Sequence, residues 1–214
     1  MRIVWFAFIL LFLVTGCHIQ ESTPQTISDT VTPYYVSEMK DVPEDTILIE
    51  NLIDEMDQGT FEYHSGEWGK FVVNPNQREF NRGDVVYIET PKEALKNQPP
   101  YIPEAKILRI VGMPGERLKV KKGQIFINDL RLDAFYGSAR NHGMTEEQYI
   151  VWANENEEDS HRFNDYFHQN VEEITIPQEH YFVIGDNWWR SVDSFKFGPI
   201  HKKDIIGTVI GYKK

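Results

Sequence analysis

A serine or threonine hydroxyl attacks a carbonyl only with a base beside it, so the bases in this chain bound what its hydroxyls can do. His142, His161, His168, His180 and His201 are scattered, and none forms a close pair with the His-Glu-x-x-His spacing of a metal centre. No nucleophile elbow accompanies them, which argues against a His-Asp-Ser triad. Cys17 is the only cysteine, so an intramolecular disulfide and a thiol role elsewhere are excluded. The chain is expected to work without a metal or other cofactor.

The elements that must position such chemistry follow from the rest of the chain. With 214 residues and 41% hydrophobic content, it can bury one substantial core. Its formal net charge of −11 argues against nucleic acid, whose phosphates need clustered Lys and Arg. Arg117, Lys119, Lys121 and Lys122 form only a local basic run, read as a solvated hairpin face. At the start, Arg2 precedes an apolar run from Ile3 to Val14, too short to span a bilayer, which needs about 20 residues, and suited to an export signal. Val14-Thr15-Gly16-Cys17 looks like a lipobox, at which a bacterial prolipoprotein is acylated on cysteine and cut before it. Residues 1–16 are thus expected to be a lipoprotein signal peptide and residues 17–45 a lipidated Cys17 with a flexible tether. Acyl chains on Cys17 would hold the protein on the extracytoplasmic side of a bacterial cell membrane.

From residue 46 to 214, apolar residues come in short runs between turn residues: Phe71 to Val73, Val85 to Ile88, Ile107 to Val111, Ile125 to Ile127, Tyr181 to Ile184 and Ile205 to Ile210. That pattern predicts a mostly β domain. Lys121-Lys122-Gly123 reads as a hairpin turn, and Gly112-Met113-Pro114-Gly115 breaks the chain after a strand. Residues 133–173 are polar, acidic and aromatic, and read as a partly helical insertion.

Three blocks carry a family resemblance. Arg82-Gly83-Asp84 leads into an apolar strand, where it reads as turn punctuation in preference to an adhesion motif. Leu108-Arg109-Ile110-Val111-Gly112-Met113-Pro114-Gly115-Glu116 is similar to a strand in which Lys-Arg precedes two apolar residues, Gly, an apolar residue and Pro-Gly-Asp. Gly185-Asp186-Asn187, then Ser191, Asp193-Ser194 and Phe197-Gly198, keep the spacing of a third. In this order the blocks resemble the type I signal peptidases. The resemblance implies coiled antiparallel sheets and a groove along a sheet edge, in which a signal-peptide or other exported-protein segment adds as a strand. It also implies a serine nucleophile and a lysine base whose burial lets the amine lose its proton.

Residue by residue, the match departs from that chemistry. Gap-free alignment on Arg109 puts Leu108 at the base position, and leucine accepts no proton. Lys106 points to the same strand face and is a rival base, although it reads first as a surface lysine at a strand start. The family's Ser-Met-x-Pro-Thr is absent; counting back from Lys70 puts Thr60 at the nucleophile position, with Ser65 as rival. Ser191 and Asp193 match the lysine-orienting serine and its supporting aspartate. Phe195 replaces the arginine beyond that aspartate, leaving Arg190 or Lys196 to approach Asp193, and Trp188 replaces the arginine after Gly-Asp-Asn. Trp188 and Trp189 could cover the groove or anchor a partner. Three functions follow: a pseudoenzyme that holds extended peptides or an envelope partner, an active serine-type endopeptidase with an altered dyad, or an envelope scaffold.

Overall fold

The structure, a computed structural model, describes residues 25–96 and 102–214. The export signal, Cys17 and the first part of the expected tether lie outside these residues. The described chain is mostly β. Strands β1 (Thr26–Ser28), β2 (Ile47–Ile49), β3 (Lys70–Asn74), β4 (Val85–Glu89), β5 (Ala105–Gly112), β6 (Arg117–Lys121), β7 (Gln124–Ile127), β8 (Leu130–Asp133), β9 (Val171–Thr175), β10 (His180–Ile184), β11 (Ile200–His201) and β12 (Ile205–Lys213) make two sheets. A seven-stranded sheet runs β11-β10-β5-β4-β12-β3-β2, and a five-stranded sheet runs β1-β8-β7-β6-β9. Every pairing is antiparallel except β1 with β8.

β5 is the central element because its residues from Lys106 onward are all buried, which suits an apolar run covered on both faces. β12 slips register near Gly207 and Gly211, and such bulges increase the local twist of the sheet. The β6–β7 turn is Lys122-Gly123, both at positive φ (48° and 70°), as a two-residue hairpin of primed type requires. One apolar core joins Val111, Phe182, Ile184 and Trp188 to Leu118, Ile125 and Tyr149, and two smaller clusters cover the seven-stranded sheet.

The insertion carries α3 (Glu146–Glu155) and α4 (Asn164–Phe167). Thr145 and Gln148 form a reciprocal capping box that starts α3, and Tyr149 and Ala153 anchor it in the core. Two further short helices, α1 (Ser65–Trp68) and α2 (Lys92–Lys96), precede it, and α5 (Ser194–Phe197) follows β10.

The expected tether needs correcting over residues 25–45. β1 pairs with β8, Tyr34 stacks on Phe135 with ring centres 4.2 Å apart, and the Met39 N–H donates to the Tyr212 carbonyl at 2.8 Å. Few apolar residues suggested free chain, but main-chain pairing and aromatic stacking tie this segment to both sheets.

Candidate functional site

Alternation along β5 puts Lys106 and Leu108 on one face. Leu108 is fully buried among Val86, Ile88 and Ile110. Lys106, two residues nearer the strand start and opposite Ile88, is also buried, with 1% of its surface exposed. The expectation of a surface lysine is therefore wrong. The strand start is covered by the chain after β2 and by the loop after β10, which together enclose the amine. Lys106 Nζ donates to Glu55 Oε1 at 3.0 Å and to the Val192 carbonyl.

Glu55 comes from the loop after β2. The same Oε1 accepts the Val192 N–H at 3.0 Å, while Oε2 has no hydrogen-bond partner among the described residues. Burial pushes the Glu55 carboxyl above its ordinary pKa, opposed by the charge of Lys106 and the Val192 N–H. The backbone around it is held by the Gly-Asp-Asn block. Asn187 N–H donates to the Glu55 carbonyl at 2.9 Å, and a Cβ on Gly185 would lie only 2.4 Å from that oxygen, so glycine permits the approach. Asp186 receives a two-point pair from Arg109, at 2.7 and 2.6 Å, and Arg109 also donates to the Gly83 carbonyl. Burial disfavours the Arg109 charge, yet the Asp186 carboxylate outweighs it and holds the guanidinium above its usual range. Arg-Gly-Asp is thus a turn whose glycine carbonyl serves the core.

Ser191 Oγ and Asp193 Oδ2 both accept from the Gly185 N–H, at 3.2 and 3.0 Å. Asp193 Oδ1 accepts from the Phe195 N–H and so caps α5. Burial raises its pKa, against hydrogen bonds from Ser191, Gly185 and Phe195. Arg190 does not approach Asp193 but pairs with Asp54 at 2.9 Å. Phe195 packs against Phe182 and Trp188, with ring centres 5.2 and 5.0 Å away. Trp188 is consequently a core residue, not a groove cover, whereas Trp189 remains half exposed.

Neither hydroxyl reached by counting meets Lys106. Thr60 is exposed and donates to the Glu62 carboxylate. Ser65 opens α1, where its Oγ accepts the Asn51 N–H at 2.9 Å beside a different depression, lined by Leu48, Leu52 and Lys70. Glu55, Ser191 and Val192 instead line a cleft of about 490 Å³ with Ile53, Pro103 and Trp189. Beside it, β4 pairs with Ala105 to Arg109 and β10 only with Arg109 to Gly112, so among the described residues no strand pairs with the other side of Ala105 to Leu108, which the Glu55 and Val192 loops cover instead.

The family model for signal peptidase, peptidase S26, matches residues 2–212. The chain belongs to the signal peptidase S26 family. Among signal peptidases, it is 28% identical over 144 residues to signal peptidase I of Leptolyngbya laminosa, covering 66% of this chain and 58% of the relative. Signal peptidase I V of Bacillus subtilis (strain 168) is 31% identical over 110 residues, 50% of this chain and 58% of the relative. The chain thus spans less than two thirds of the length of these relatives. A solved signal peptidase I from Enterococcus faecalis V583 aligns with a TM-score of 0.39 and 21% identity, covering 61% of this chain and 97% of that one.

Sequence counting missed Glu55. The signal that could have found it is Met56: in the signal peptidase pattern methionine follows the nucleophile, and here Met56 follows Glu55. Gap-free counting from β3 passed over this match because the loop between β2 and β3 is longer than the count allowed.

Proposed function

We propose that this chain is a signal-peptidase-like envelope protein that holds extended peptide segments, or an envelope partner, and does not cut them with a hydroxyl/lysine dyad. The observation that carries this reading is Glu55 against Lys106. A dyad needs a hydroxyl on the amine and an amine able to lose its proton. A carboxylate in that contact favours the charged amine and supplies no hydroxyl. Leu108 and Phe195 at the other family positions point the same way.

Binding is supported by the cleft beside the Glu55–Lys106 pair. An extended segment could lie in this cleft with its side chains against Ile53, Ser191 and Val192. Acyl chains on Cys17 would keep this cleft at the outer face of the membrane, where exported segments pass. The burial of Lys106 favours one rival reading, an active endopeptidase in which this lysine serves a displaced hydroxyl.

Cleavage of signal-peptide substrates by the wild type, Thr60→Ala, Ser65→Ala, Ser191→Ala and Lys106→Ala decides between them. All five are expected to sit at background. Efficient cutting by the wild type, abolished by one of these changes, would establish the altered dyad and remove the pseudoenzyme reading.

A further inference from the structure

A second cavity, of about 620 Å³, lies in the insertion and takes no part in the chemistry above. Tyr149 and Trp152 of α3, Phe163 and Trp189 form its aromatic wall. The rings meet edge to face, Tyr149 with Phe163 at 5.1 Å and Phe163 with Trp189 at 4.8 Å. Yet Trp152 and Trp189 remain 41% and 50% exposed. Two tryptophans left open at one cavity are the kind of surface that binding energy concentrates on.

Asn141 is an independent sign of a ligand. It lines the cavity and is 3% exposed, and its Nδ2 has no hydrogen-bond partner among the described residues. A buried amide donor is ordinarily satisfied, and a carbonyl oxygen on a ligand would satisfy this one. The polar groups of the wall have partners within the protein: His142 Nδ1 lies 2.6 Å from Asp57 Oδ2 and Arg162 lies 4.0 Å from Glu158. The unmet need is for an apolar body with an acceptor, not for a charge.

Trp189 belongs to both cavities, forming a wall of the Glu55 cleft and of the aromatic one. A chain lying in the Glu55 cleft and leaving past Ser191 and Val192 would therefore meet Trp189 next. We propose that the aromatic cavity is a side-chain subsite for an aromatic or large apolar residue of that extended peptide, with Asn141 donating to a peptide carbonyl. This rests on the peptide-binding reading above. A sugar also stacks on tryptophan, but the shared Trp189 wall ties this cavity to a peptide path.

The test is a titration of isotope-labelled protein with an alanine-rich peptide bearing one phenylalanine, and with its phenylalanine-free counterpart. Burying the ring should tighten binding by about ten- to a hundredfold and move the Asn141 side-chain amide and both indole N–H signals. Trp152→Ala, at an exposed position that folding should tolerate, should remove most of that preference while leaving binding of the plain peptide unchanged, and Asn141→Leu should weaken binding of both peptides through the lost carbonyl contact. Equal binding of the two peptides would overturn the subsite and leave peptide capture standing. Binding of neither would overturn both. If chitotetraose moves the same signals and the phenylalanine peptide does not, the assignment to a peptide side chain is wrong.

Discussion

Glu55 Oε1 lies 3.0 Å from Lys106 Nζ, in a contact where both side chains are almost wholly buried. It is a loop carboxylate brought onto a strand lysine across 51 residues of chain. Such a pair is weak evidence for stability as a whole, because desolvation offsets the attraction, but it is costly to break from one side.

Lys106→Met and Glu55→Leu should each destabilise the protein, Lys106→Met by about 3–5 kcal/mol, since it leaves a buried carboxylate without its partner. The double variant Glu55→Leu/Lys106→Met should cost much less than the sum of the single changes. Urea unfolding of the four proteins measures the coupling; additive costs would mean the pair is not a unit.

Glu55→Ser puts a hydroxyl on the loop that faces the lysine and removes the charge that favours the ammonium. A fluorophosphonate probe should label this variant at position 55 and leave the wild type unlabelled. Adding Lys106→Ala should slow labelling by about 10² to 10⁴, the usual worth of a positioned base. Labelling that ignores Lys106 would show that the lysine is not placed to act on that residue.

Burial raises the pKa of both Glu55 and Asp193 above the ordinary values of 4.5 and 3.8. The folded protein then binds these protons more tightly than the unfolded chain. Stability from this source is fully present below the ordinary values and is lost as pH rises through the raised native ones. The advantage of wild type over Asp193→Asn should therefore shrink as pH rises above about 3.8, an ordinary aspartate value, read from urea midpoints across the range. A constant difference would mean Asp193 does not titrate with folding.

Arg109→Lys should be far from conservative. The guanidinium makes two bonds to Asp186 and one to the Gly83 carbonyl, and lies over Phe135 at 4.8 Å. A single ammonium cannot reproduce that fork, and a loss of about 3–5 kcal/mol is expected from thermal or urea unfolding. A loss below about 1 kcal/mol would fit a surface pair instead.

Cys17 lies outside the described residues, and its lipidation remains a chemical expectation from the lipobox-like run. Fatty-acid labelling of cells expressing wild type or Cys17→Ala checks it: label should appear only on the wild type.

The mostly β class was legible from residue order alone, because alternation and turn residues act locally: Val85 to Ile88, Ile107 to Val111 and the Lys122-Gly123 turn all lie where the pattern put them. Leu108 was equally legible as a residue unable to accept a proton, since side-chain chemistry needs no coordinates. Local signals also existed for α3, in the Thr145 to Gln148 box, and for Glu55, in the methionine that follows it. Which side chains meet was visible only once the chain was folded. Lys106 read as a surface residue because its neighbours in sequence say nothing of the two distant loops that cover it. Thr60 and Ser65 were reached by counting, and a longer loop turns each to its own local partner. The segment from residue 26 to 39 read as tether because its order comes from pairing with β8 and Tyr212. Long-range burial and main-chain pairing depend on the whole fold, so a local reading of residue types could not supply them.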